Sequence, residues 1–209
     1  YLVSKAYPHN AGRANIFKSC EKSIARMGCD YLDLYLLHWR GGVPLSETVA
    51  CMEELVKRGQ IRRWGVSNFD LGDMKELYSI KDGKNCAVNQ VLFHLGSRGV
   101  EYALLPWLRE RGIPLVAYCP LAQAGSLRRG LLENRAVTEL ANARGLTPSQ
   151  VLLCFVLGTP GVAAIPKASQ PEHTALNAAC AHIKLTEEER TALDRAFPPP
   201  ARPVPLDIV

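Results

Sequence analysis

The sequence predicts an α/β fold built on parallel strands, in a sheet either open or closed into a barrel. Three observations predict it. Short β-like runs alternate with helical patterns along the whole chain. The runs recur every ~25 to 30 residues with a helical pattern after each, as repeated βα units require. Most are near-continuous apolar stretches, as strands buried on both faces are.

The first run is Tyr1 to Ala6, and the helix after it places Ile16, Cys20 and Ile24 four residues apart on one face. The run Tyr31 to His38 follows. Ser46 is expected to cap a helix carrying Val49, Met52 and Val56 and closing at Gly59. Next come Ile61 to Ser67 and a helix capped by Asp70, with Leu71, Met74 and Leu77. Ala87 to Phe93 and Pro114 to Cys119 are the fourth and fifth runs. Two helices are expected before the sixth, Val162 to Pro166, one opened by the capping box Thr147-Pro148-Ser149-Gln150. A second box, Thr186 to Glu189, opens a late helix holding Leu193 and Phe197. The proline-rich stretch after it should be extended, so the expected organisation is one domain over 1–209 with a tail from 198 to 209. A closed barrel of this kind has eight strands and roughly 250 residues. Six runs match a chain that starts about two strands late, and Tyr1 already lies inside a run, so the native start and any targeting signal are expected to be absent.

Composition narrows the class. Hydrophobic residues make up 47% and charged residues 22% of the 209, the balance of a globular chain. The longest apolar runs, Tyr31 to Trp39 and Gln150 to Leu157, are too short for a bilayer. A net charge of +5 without Lys/Arg runs and interleaved aromatics argues against nucleic acid and suits a phosphate-binding site. Lys57, Arg58, Arg62 and Arg63 read as a solvated surface cluster. Seven cysteines, none in a CxxC pair, read as reduced thiols of a cytoplasmic protein. His9, His38, His94, His173 and His182 are not at metal-ligand spacing, so no metal is expected. Neither GxGxxG nor GxxxxGK[ST] is present.

In parallel α/β folds active sites stand at the C-terminal ends of the strands. There the sequence puts Lys5, His38 with Trp39, Ser67 with Asn68, Asn89 with Gln90, Tyr118, and Lys167. Taken singly each has a plain reading: a surface lysine, a satisfied core histidine, a packed tryptophan, an Asn capping the next helix. Polar residues at the end of strand after strand are hard to explain by packing, and point to one shared catalytic face.

Leu2-Val3-Ser4-Lys5, Asp33 to Trp39, Gly65-Val66-Ser67-Asn68-Phe69, Asn89-Gln90, Tyr118 to Leu121 and Ile165-Pro166-Lys167-Ala168 stand in an order and spacing that resembles the aldo-keto reductases over the whole chain. The resemblance implies a (β/α)8 barrel, lacking about its first two strands here, that reduces aldehydes and ketones with hydride from NADP(H). Of the family's four catalytic residues it places two in this sequence. Lys5 matches the lysine that lowers the pKa of the acid tyrosine, and His38 the histidine that orients the carbonyl. The aspartate and tyrosine would precede Tyr1, and Tyr7 follows the lysine and is no substitute. Ser67, Asn68 and Gln90 match the residues that hold the nicotinamide carboxamide, and Tyr118 the aromatic stacked on the ring. Leu121, Gly125 and Leu127 would lie on a loop over the pyrophosphate, Lys167 would meet the adenosine 2′-phosphate, and Asn177 retains a further cofactor position. Trp39 would line the substrate pocket. Where the family often has Ser, Arg and Glu after the lysine, this chain has Ala168, His173 and Leu176, so the bidentate clamp is lost and the preference for NADP over NAD should be modest. His173 reads as helix surface and His94 as structural.

The expected partner is a small-molecule carbonyl compound, with no nucleic acid or membrane, and the complete protein is expected to be a monomer. The competing reading is a non-catalytic NADP(H)-binding regulatory module, or an inactive fragment, because the aspartate and tyrosine are not in this sequence. A third, an isomerase-like phosphate barrel, lacks its glycine-rich loop, since Ala163-Ala164-Ile165-Pro166-Lys167 stands there. Short segments after His38 and at the C-terminus favour small aldehydes and α-dicarbonyls over bulky ligands.

Overall fold

The structure, a computed structural model, describes residues 1–208. Contacts divide the chain into two compact units, Tyr1–Gln90 and Val91–Val209.

In the first unit β1 (Val3–Ala6), β2 (Leu32–Leu37), β3 (Ile61–Ser67) and the start of β4 (Asn89–Leu92) pair in parallel, neighbours following chain order. The register sets Lys5 beside Leu36, Leu36 beside Gly65, and Ser67 beside Gln90. Helix α1 (Ile16–Met27) buries Ile16, Cys20 and Ser23 and ends on Gly28 at φ 60°, a left-handed position glycine adopts without strain. Helix α3 (Leu71–Ser79) has the expected cap, with Asp70 and Asp73 each accepting a hydrogen bond from the other's backbone N–H. Helix α2 (Leu45–Lys57) differs from expectation. It begins two residues earlier, after Pro44, whose φ of −53° suits a helix entry, and Ser46 lies inside the first turn. Tyr35, Leu36, Met52, Leu55, Phe69 and Met74 fill this unit's core.

In the second unit β5 (Leu115–Tyr118) pairs in parallel with β6 (Val162–Ala164). The helices are α4 (Leu104–Glu110), α5 (Ser126–Glu133), α6 (Arg135–Arg144), α7 (Pro148–Leu157), α8 (Pro171–Ala179) and α9 (Glu187–Ala196). Three helices, not two, lie between β5 and β6. Asn134 alone separates α5 from α6: it terminates the first and its side chain caps the second by accepting from Ala136 N. Helix α7 is buried from Gln150 to Val156, and both expected capping boxes, at Thr147 and Thr186, are formed. Phe197 falls just outside α9, as its C-cap. The tail after it contains neither helix nor strand through residue 208. It is tied down by Arg98, which is 8% exposed, pairs with Glu101 and Asp194 and donates to Phe197 O, while Ser97 Oγ donates to Asp207.

Most strands are shorter than the apolar runs suggest. β2 and β4 are buried almost throughout, whereas β6 is half-exposed, so the expectation of two-sided burial fails there. No helix among the described residues is long and apolar enough to cross a membrane.

Candidate active site

In the first unit Lys5 stands one residue before the end of β1, and His38 directly follows β2. The His38 N–H donates to Ala6 O at 2.9 Å, so the ladder continues past both strands and holds their ends level. Four rings gather there. His38 and Trp39 have centroids 4.6 Å apart, Tyr7 lies 5.4 Å from each, and His9 stacks on Tyr7 at 5.6 Å. Tyr7 and Trp39 remain 51% and 40% exposed, so this aromatic wall faces solvent. Burial, and after it the positive charge of Lys5, hold the His38 pKa below its ordinary value. A neutral imidazole carries one N–H, which it can give to a carbonyl oxygen.

Ser67 and Asn68 close β3 beside Gln90. Asn68 adopts φ 59°, a conformation that asparagine tolerates better than most residues. Its backbone N–H donates to Gln90 O at 2.9 Å, and its side-chain amide donates to His38 O at 3.1 Å and Ser67 Oγ at 3.3 Å. One asparagine therefore ties the ends of three strands together. Asn89 Nδ2 donates to Phe69 O, while Asn89 Oδ1 and Gln90 Oε1 are buried acceptors without a hydrogen-bond partner. A buried acceptor in that condition is costly, and a ligand amide N–H satisfies it.

In the second unit a cavity of about 160 Å³ is lined by Leu121, Arg128, Thr147, Ser149, Lys167, His173 and Asn177, among others. Leu121, Lys167 and Asn177 thus line one cavity, and His173, read as helix surface, lines the same space. Gly125 does not line it: it is the exposed N-cap residue of α5 at φ 122°. Leu127 lies in α5, 54% exposed, not on a loop. Tyr118, half-buried, closes β5. The turn after it holds Cys119 and Ala122 at φ 49° and 58°, with Ala122 N donating to Cys119 O. Non-glycine residues in that region store strain of order 1–3 kcal/mol each and mark functional turns.

Sequence reasoning missed Tyr7 and His9 as members of the aromatic wall, and Arg128, Thr147 and Ser149 as cavity residues. The alternation of Tyr7 with His9 just beyond a strand was a readable signal. Arg128 had none, being one of two adjacent arginines in an ordinary amphipathic helix. No cluster of three or more His, Cys, Asp or Glu residues able to hold a metal occurs among the described residues.

The model of the aldo/keto reductase family matches residues 2–197. Methylglyoxal reductase YeaE of Escherichia coli is 52% identical over 209 residues, covering 100% of this chain and 74% of that protein. Glyoxal reductase of Bacillus subtilis is 34% identical, covering 93% and 67%. A crystal structure of an aldo/keto reductase from Klebsiella pneumoniae, in complex with NADP and acetate, superposes with a TM-score of 0.97 at 56% identity, over 100% of this chain and 74% of that one. With a family model matching nearly its entire length, this chain belongs to the aldo/keto reductase family.

Proposed function

We propose that the protein reduces small aldehydes and α-dicarbonyl compounds to alcohols, with NADPH as the reductant. The observation that carries this reading is the gathering of His38, whose pKa is lowered by burial and then by the Lys5 charge, with the exposed rings of Tyr7 and Trp39 at the ends of β1 and β2. The names of the relatives above, methylglyoxal reductase and glyoxal reductase, support the substrate class. They do not favour the non-catalytic alternative.

The residues fit the cofactor. The buried, unpartnered Gln90 Oε1 suits the amide donors of a nicotinamide carboxamide, with Ser67 and Asn68 beside it. The second unit's cavity joins Lys167, Arg128 and His173 with the hydroxyls of Thr147 and Ser149, and no carboxylate lines it, which suits a phosphate. When bound, NADPH supplies the hydride. Ser67, Asn68 and Gln90 would hold the carboxamide by hydrogen bonding; in the second unit Tyr118 presents a flat ring suited to stacking. Leu121 and Asn177 complete the lining of the second unit's cavity. His38 donates its N–H to the carbonyl oxygen and thereby withdraws charge from the carbon under attack. Lys5, by its charge, favours the neutral form of His38 and the ionised form of the acid tyrosine that the family employs. Of that family's four catalytic residues these 209 hold the lysine and the histidine.

The segment after His38 supports a small substrate. Arg40 pins it by donating to Gly41 O and Val43 O and pairing with Glu76, and a side chain at Gly41 would collide with Pro8. The segment stays short and close, leaving Trp39 and Tyr7 open to solvent.

A panel of carbonyl compounds, assayed by loss of NADPH absorbance, tests the proposal. Small aldehydes and α-dicarbonyls should be turned over best, and Lys5→Met should lower turnover at least ~10²-fold with NADPH affinity little changed. A steroid ketone preferred over every small aldehyde would overturn the substrate class. Undiminished turnover in Lys5→Met would overturn the role of Lys5.

A further inference from the structure

The cavity in the second unit holds three nitrogen bases with different histories. Lys167 follows β6, His173 lies on α8, and Arg128 is the third residue of α5, in its first turn. Arg128 is half-buried, whereas its neighbour Arg129 is exposed. Arg58, Arg98, Arg135 and Arg144 each pair with a carboxylate, but Arg128 enters no ion pair among the described residues. A guanidinium drawn partly out of water without a counter-charge is a cost that an anionic ligand would offset.

The demand for a second cation is also visible. A phosphate monoester carries about −1.5 to −2 at neutral pH, which Lys167 alone does not balance. Lysine is a point charge, while arginine presents a rigid fork that matches two phosphate oxygens at once. At the position where a family arginine would be expected this chain has His173, which has no such fork. Helix α7 turns its N-terminal end, the positive end of its dipole, to the same cavity through Ser149 at its second position. No acidic side chain lines the space to oppose an anion.

We propose that Arg128 is the bidentate phosphate clamp of this cavity, supplied from α5 in place of the arginine absent at His173, and that it sets the preference for NADP(H) over NAD(H). The proposal rests on the cofactor reading above and assigns the specificity within it to one residue. The difference between the two cofactors is a single 2′-phosphate, so the clamp should be felt by one and not the other.

The test is a titration of the protein with NADPH, NADH and adenosine 2′-monophosphate, followed by calorimetry. Arg128→Met should weaken NADPH and adenosine 2′-monophosphate by at least tenfold, about 1.4 kcal/mol, and NADH by less than about twofold. Arg128→Lys should recover only part of the loss, because it restores charge without the fork. Arg129→Met should match the parent. Unchanged NADPH affinity in Arg128→Met, while Lys167→Ala still weakens it selectively, overturns the proposal and leaves the cofactor reading intact. Equal weakening of NADPH and NADH by Arg128→Met also overturns it, since that reports loss of structure or of a pyrophosphate contact. A parent protein that binds NADPH and NADH equally overturns the clamp and the NADP reading together.

Discussion

Gly65→Ala is the most exacting test of how β3 and β4 position Ser67, Asn68 and Gln90, the residues proposed to hold the nicotinamide. Gly65 lies mid-strand in β3, paired with Leu36 of β2. A methyl group there would stand 2.6 Å from the carbonyl oxygen of Val88 and 3.0 Å from Leu36 Cδ2. The first neighbour is backbone and cannot swing aside, so the two chains must part by roughly 0.8 Å to reach ordinary contact at about 3.4 Å. The adjacent bond, Val66 N to Val88 O, is now 3.1 Å and would stretch beyond hydrogen-bonding range. Overpacking costs about 1–3 kcal/mol and the lost bond about 1 more, giving about 2–4 kcal/mol. For a chain of this size that corresponds to a fall in Tm of about 5–15 °C. The same displacement pulls on Asn68 N to Gln90 O, two residues further along, so NADPH affinity should fall too. Thermal unfolding followed by circular dichroism, with NADPH titration alongside, reads both effects. A Tm within about 2 °C of the parent with unchanged affinity would refute the reasoning, and would mean that β3 yields without involving Ser67 and Asn68.

Three further outcomes follow from the same geometry. His38 should titrate below 6.5, so its neutral form, and the stability that form contributes, is complete above that pH and is lost as pH falls through the lowered value. Lys5→Met removes the second cause of that shift and leaves burial, the larger one, so the His38 midpoint in a proton NMR titration should rise but stay below 6.5; an unmoved midpoint would contradict the pairing. Thr147→Ala breaks the box in which Thr147 Oγ1 accepts from Gln150 N at 3.2 Å, and should cost about 1 kcal/mol, or a Tm fall of about 2–4 °C. No change in Tm would show that the cap contributes nothing. Burial holds the Cys86 and Cys20 thiols up at about 12, and Cys51, Cys154 and Cys180 are buried as well. A thiolate-directed disulfide reagent at pH 8 should therefore label only Cys29 and Cys119 rapidly; fast labelling of a third thiol in the native protein would be the contrary result.

The strands were legible because their apolar runs are short and bounded, and the caps at Asp70, Thr147 and Thr186 because a side chain must stand at a fixed offset to reach the third amide. Ser46 misled because a proline two residues earlier had already fixed the entry to α2. The α5–α6 break was hidden, since Asn134 both ends one helix and begins the next and leaves the apolar spacing almost continuous. At the site, Lys5, His38, Ser67 and Asn68 stand at or just past strand ends, where the sequence put them, whereas Asn89 and Gln90 open β4 and do not stand at its C-terminal end as expected. Leu127 was misplaced because the segment after β5 becomes helix at Ser126, with Gly125 still before it as the N-cap. Arg128 was invisible because its environment is made by α7, α8 and the segment after β6, which are distant in sequence.

The capping box at Thr147 has a consequence for motion. Thr147 and Gln150, which close the first turn of α7, also line the second unit's cavity, so fraying of that turn would disrupt the site proposed for the cofactor phosphate. By linkage, a ligand at a hundred times its Kd raises the free energy of any opening that destroys its site by about 2.7 kcal/mol. Amide hydrogens at Ser149, Gln150 and Val151 should therefore exchange with deuterium roughly a hundredfold more slowly when the cavity is filled. Those in α1, in the other unit, should keep their pace. The end of a helix becomes a gauge of occupancy that needs neither turnover nor absorbance to be read.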